Sequence, residues 1–221
     1  NEGGRDWSYH SYRNSNIENY QKTINYLAEK EFFIFRMGKG VEKTIDASHT
    51  RVIDYANSVD RSDFLDIFLF ANSHFTIGSE AGIITSALAY RAPFVSPNVS
   101  AIETFQTWHD NILVILKKHW LKDQKRFMTF GEIFKCGAGL FLRTEQYKKM
   151  GIELVENTPE EILNVSIEMQ ERINGSWETN EEYEFLQKEF WKIFPKSKWH
   201  GKIKSRIGSE FLKQNKNLLG L

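Results

Sequence analysis

The sequence predicts an α/β fold built on a doubly wound parallel sheet, and three observations predict it. Short apolar runs alternate with segments of helical periodicity, the connections between them are short, and 221 residues with 41% hydrophobic content support one full core plus a helical appendage. Alternation of this kind implies parallel strands joined by right-handed crossovers. Lys+Arg and Asp+Glu both total 29, so no net field draws the chain to nucleic acid or to an anionic membrane, and any anion must be held by local groups. The single Cys136 excludes an internal disulfide, and no CxxC or HExxH pattern is present, so no metal site is expected and a reducing, cytoplasmic setting is. No apolar run is long enough to span a bilayer. The start Asn1-Glu2-Gly3-Gly4-Arg5 has neither an initiator Met nor a signal-peptide core, and reads as the cut end of a longer protein whose missing part is N-terminal.

Taken in order, Ile17, Tyr20, Ile24 and Leu27 share one helical face behind the cap-forming Asn14-Ser15-Asn16, which predicts a helix over 17–30. Phe32 to Met37 is an apolar run ended by Gly38 and Gly40, the pattern of a strand buried on both faces. Residues 50–55 predict a shorter strand, and Ser62-Asp63 caps an apolar helix through Phe70. Phe75-Thr76-Ile77 is the next strand, 78–82 a turn, Ile83 to Tyr90 a helix, Pro93 to Ser96 a strand, and Ile112 to Leu116 one more. Thr129-Phe130-Gly131-Glu132 has the spacing of a capping box. Thr158-Pro159-Glu160-Glu161 joins an N-cap Thr to Pro at the first helical position and Glu three after the cap, so a helix covers about 159–173. Tyr183, Leu186, Phe190 and Phe194 make the stripe of a further helix that Pro195 closes, and 203–212 is a last amphipathic segment. The expected organisation is a sheet domain over 1–175 and a helical extension over 176–221 packed on it.

In an open α/β sheet, ligands bind beyond the carboxyl ends of the strands. The turn Gly78-Ser79-Glu80-Ala81-Gly82 stands there: its glycines let backbone approach a ligand, Ser79 can donate or accept, and a diphosphate fits the field of the following helix. Ser79 as a simple helix cap and the glycines as simple turn residues explain the pentapeptide equally well. Glu80 could bond a sugar hydroxyl or only complement the helix start. Arg5, Arg13 and Arg36 offer paired donors for phosphate oxygens, with surface solvation as the alternative. Arg36 differs, because a charge inside an apolar strand has to be aimed at a partner or a cavity. Asp6 and His10 could supply a general base, and loop polarity explains both equally. Asn98 could bind at the same rim or serve as a turn residue. Lys117-Lys118 reads as a solvated edge, with a ligand contact as the alternative. The Trp and His residues of the second half read as core.

The stretches Arg5-Asp6 with Tyr9 to Ser15 (YHSYRNS), Phe35-Arg36-Met37-Gly38, Ser62 to Asp66, Gly78 to Gly82 with Pro93, and Glu156 to Ile162 (ENTPEEI) resemble, in order and spacing, the glycosyltransferases of bacterial surface-polysaccharide and flagellin-modification gene sets. The resemblance implies the C-terminal, Rossmann-like donor-binding half of a GT-B fold, its first strand truncated. It implies transfer of a sugar from a nucleoside diphosphate-sugar to a glycan or lipid-linked acceptor, without metal or cofactor, in the cytoplasm and in reach of the inner membrane face. Carried onto this chain, Ser79 to Gly82 meet the pyrophosphate, with Arg13 and Arg36 as supporting donors. A sugar-nucleotide 2-epimerase and a non-catalytic nucleotide-sugar-binding or scaffold domain are the alternatives, and fold-level likeness does not separate them.

Overall fold

In the computed structural model, residues 6–39, 41, 43–79, 82 and 84–221 are described. The first predicted helix forms in two steps. A 3-10 turn at Ile17–Tyr20, which Asn16 opens by accepting from the Glu18 N–H, feeds α1 (Gln21–Glu29). A tight turn, in which the Phe32 N–H donates to the Leu27 carbonyl at 3.0 Å, leads into β1 (Ile34–Phe35). β1 pairs in parallel with β2 (Val52–Ile53). The expectation that this strand is buried on both faces is corrected: the ladder holds two residues, and Phe33 and Phe35 are 61% and 39% exposed. They alternate with Ile34 and Arg36, so one face of the strand stays uncovered. Gly38 ends the run at φ 144°, where a Cβ would meet Val41 at 2.8 Å, which accounts for glycine after Arg36-Met37.

Ser62 caps α2 (Asp63–Asn72) as predicted, its hydroxyl accepting from the Leu65 N–H at 3.2 Å. β3 (Thr76–Ile77), α3 (Ile84–Ala89), β4 (Phe94–Val99) and β5 (Ile112–Leu116) follow in alternation, and β3, β4 and β5 pair in parallel in that order. A second, antiparallel sheet was not predicted: β6 (Lys118–Leu121) lies between β7 (Arg126–Phe127) and β8 (Ile152–Val155). β6 leaves β5 after one residue, so no turn signal separates the two runs. Thr129 and Thr158 close full capping boxes on α4 (Phe130–Cys136) and, after α5 (Thr144–Lys149), on α6 (Pro159–Asn174). α7 (Glu181–Ile193) stops two residues before Pro195. The segment expected to be a helical extension also gives a strand, β9 (Arg206–Ile207), which pairs with β5 before α8 (Ser209–Gln214).

The result is a mixed α/β structure whose larger sheet has four parallel strands in the order β3-β4-β5-β9. The main core gathers on β4 and β5, both wholly buried, with Phe130, Ile162, Phe190 and Leu212 from the helices. Two small clusters stand apart from it, one of Ile24, Ala28 and Val52, the other of Phe70, Ala87 and Ala92. Among the described residues, no helix is long and apolar enough to cross a membrane.

Candidate functional site

Between these three apolar clusters lies a cavity of about 650 Å³, walled by α1, β1, α2 and β3. β1 and β3 belong to different sheets, and the cavity lies between them, lined along the first from Phe32 to Met37 and along the second from Phe75 to Ser79. Arg36 and Met37 enter it from the end of β1, Gly78 and Ser79 from the end of β3, and Ser15 and Tyr20 from the approach to α1.

Arg36 has the partner that its position demanded. Its Nη1 donates to Asp54 Oδ1 at 3.1 Å, with the two side chains only 10% and 15% exposed, and Asn57 holds the other Asp54 oxygen at 2.8 Å. The carboxylate fixes the guanidinium plane and cancels its charge, so Arg36 offers directed hydrogen bonds at the crevice without a net field.

A polar node stands behind it. The Tyr20 hydroxyl is 2.9 Å from Ser15 Oγ, receives Asn98 Nδ2 at 3.3 Å and shares a hydrogen bond with Ser79. Burial raises this hydroxyl above the ordinary tyrosine range, and Glu156 adds to the rise against the hydrogen bonds, so the phenol stays protonated. Ser79 is therefore bound to the node, five residues ahead of α3, and is not that helix's N-cap. Gly82 does not take the left-handed backbone that would require glycine, and a Cβ there would meet nothing within 4 Å. Glu80, Ala81 and Arg5 lie outside the described residues.

Asn98 is corrected from a rim or turn residue to a wholly buried one. It sits inside β4 at φ 60°, where Pro97 and a register shift bulge the strand, and all its polar groups are committed within the chain. Asn157 and Glu156 explain the ENT half of the last motif in the same terms. Asn157 locks Asn98, while Glu156 accepts from the Asn16 N–H at 2.9 Å and from Asn19 at 3.0 Å.

Arg13, His10 and Asp6 are not brought to the crevice. Their segment, Ser8–Arg13, packs on α5, where Thr144 Oγ1 donates to the Tyr9 carbonyl and accepts from the Tyr12 N–H. Arg13 lies over the Tyr12 ring at 5.8 Å. Asp6 accepts from the Ser8 N–H at 2.8 Å, which holds its carboxyl below the usual range and makes it a poorer base. Burial, then Arg13 and Arg143, lower His10, so its imidazole is neutral at pH 7. The expected solvated edge at Lys117-Lys118 is also corrected. Lys117 is buried and donates to the Tyr12 and Asn14 carbonyls, and Lys118 pairs with the buried Glu161 at 2.9 Å.

Sequence reasoning missed Ser15, Tyr20 and Thr23 as crevice residues and Asp54 as the partner of Arg36. Helical spacing did place Tyr20 on the inward face of its segment, but nothing local marks its hydroxyl as part of a site. Among the described residues, no group of three or more His, Cys, Asp or Glu could hold a metal ion. No protein-family model, curated protein or solved structure matches this chain.

Proposed function

We propose that the crevice between β1 and β3 binds a nucleoside diphosphate-sugar, and that the chain is the Rossmann-like donor half of a glycosyltransferase with GT-B architecture. One observation supports this reading: Arg36, at the end of β1, and Gly78 and Ser79, just after β3, set apart in the sequence as donor residues, line a single cavity. The Arg36 guanidinium, beyond its bond to Asp54, and the Ser79 hydroxyl supply hydrogen bonds to diphosphate oxygens without a divalent metal. A formally neutral chain holds an anion in this way, by directed donors.

In the reaction, an acceptor hydroxyl oxygen forms the new bond to the anomeric carbon, and the bond from that carbon to the diphosphate oxygen breaks. The diphosphate leaves with the electron pair and the hydroxyl proton passes to a base. Neither Asp6 nor His10 reaches the crevice, so the base is assigned to neither. The test is calorimetric titration with UDP, GDP, CDP and dTDP in chelator and in magnesium. Binding of one nucleotide at micromolar to millimolar concentration in chelator supports the reading, and binding only with magnesium contradicts it. Conversion of the donor with no acceptor present would mark an epimerase instead, and no nucleotide binding a scaffold.

A further inference from the structure

α7 buries one face and leaves the other uncovered. Leu186, Gln187 and Phe190 are buried, while Glu181, Glu182, Phe185, Lys188 and Lys192 share the exposed face at helical spacing. Phe185, 50% exposed, stands at the centre of that face, with both acids on its N-terminal side and both lysines on its C-terminal side. A helix dipole favours charges placed in this way, so their order alone asks for no partner. Glu181 and Lys188, however, have no ion-pair partner among the described residues, whereas Glu182 reaches Lys213 at 3.8 Å and Glu189 meets Lys192 at 3.4 Å.

The face is also its own complement when reversed. Glu182 and Lys188 stand at equal spacing on either side of Phe185, so a two-fold axis through Phe185 packs ring on ring and sets each Glu182 opposite Lys188 of a second copy. Glu181 then falls opposite Glu189, whose charge Lys192 of its own chain already meets. Beside the second half of α7 runs a groove of about 450 Å³, lined by the half-buried Trp191 and Ile203 and by the exposed Lys188, Lys192 and Lys204. The same axis brings to this basic groove the acidic start of the other α7, where Glu178 precedes the cap residue Asn180.

We infer that α7 is the contact surface of a two-fold dimer of this chain, in which two copies of the helix pack antiparallel about Phe185. A parallel pairing would set acid on acid and lysine on lysine. α7 has 13 residues and is about 20 Å long, so the helix pair covers less than a standard interface, and the dimer is weak, with a dissociation constant on the order of 100 micromolar. None of the residues that line the crevice between β1 and β3 belongs to α7, so the dimer stands independently of what the crevice binds.

The test is analytical sedimentation of the full chain from about 10 micromolar to about 1 millimolar. A monomer–dimer equilibrium is expected, weakened about threefold or more when salt rises from about 50 to about 500 mM. Phe185→Glu, which sets two like charges on the axis, abolishes the dimer and leaves the monomer folded by circular dichroism. Glu182→Lys and Lys188→Glu each weaken self-association about fivefold to tenfold. An equimolar mixture of these two variants dimerises as tightly as the parent, because every lysine of one then faces a glutamate of the other. A chain that stays monomeric at the highest concentration overturns the inference. So does a dimer that survives Phe185→Glu, or a mixture that associates no more tightly than either variant alone.

Discussion

Asn98 and Asn157 exchange two hydrogen bonds, each backbone N–H donating to the other's side-chain oxygen at 2.7 Å. Both residues are fully buried, and Asn157 Nδ2 also donates to the Leu116 carbonyl at 3.0 Å. The pair closes the β4 bulge and holds Asn98 Nδ2 against Ser15 and Tyr20, which line the crevice. Asn157→Ala leaves the Asn98 N–H buried without an acceptor, and the expected loss is roughly 2–4 kcal/mol in urea unfolding. A loss within error of zero would mean that the pair holds nothing together.

Thr23→Val is expected to act in the opposite direction. It removes a buried hydroxyl that has no partner among the described residues and keeps the β-branched shape, so the protein without ligand should gain about 1 kcal/mol. Thermal unfolding checks it, and a destabilised variant would show that the hydroxyl is already satisfied.

Glu168 is a buried charge whose surroundings are complete. Its carboxylate accepts from the Ser209 N–H at 2.7 Å and the Ser209 hydroxyl at 3.0 Å, and pairs with Arg172 at 2.8 Å. It thereby fixes the start of α8 behind β9. Glu168→Ala strands Arg172 and the Ser209 N–H, and should cost about 3–5 kcal/mol by chemical denaturation. Glu168→Gln, which keeps an acceptor for Ser209, should cost visibly less.

His119 makes stability pH-dependent. It is fully buried, and burial lowers its imidazole from 6.5 to about 4, against the hydrogen bond to the Lys117 carbonyl and with the Lys117 charge. The unfolded chain takes up this proton near 6.5, whereas the folded chain resists it until about 4. Stability is therefore present above pH 6.5 and falls as the pH drops, by at most ~1.4 kcal/mol per pH unit. His119→Leu should flatten that slope in unfolding curves between pH 6.5 and 4.5, and an unchanged slope would assign it elsewhere. Glu132, held down to about 2 chiefly by hydrogen bonds from Arg126, contributes at lower pH: its stabilisation is present above 4.5 and lost below.

What was legible in the sequence was local. Ser62, Thr129 and Thr158 cap the helices that their spacing announced, because each bond joins residues three apart. Arg36 could be singled out because an ionised group in an apolar run is readable from its neighbours, and Gly78-Ser79 because a strand end is; what joined them was the resemblance, which joined Arg13 as well, and Arg13 lies over Tyr12 instead. Asn98 was misread because its partner lies 59 residues away, and no periodicity announces a bulge. β6 and β9 were missed because Lys118-His119-Trp120-Leu121 and Arg206–Ile207 are too short and polar to signal a strand without the neighbours that pair them.

The most direct test of the account uses the nucleotide that binds best, titrated in chelator into the parent chain and into Arg36→Ala, Ser79→Ala and Arg13→Ala. Removing a directed donor from the crevice should weaken binding about tenfold or more for each of the first two variants. Arg13→Ala, altered on the far side of Tyr12, should match the parent. Loss of binding in Arg13→Ala with retention in Arg36→Ala and Ser79→Ala would contradict the placement of the donor between β1 and β3.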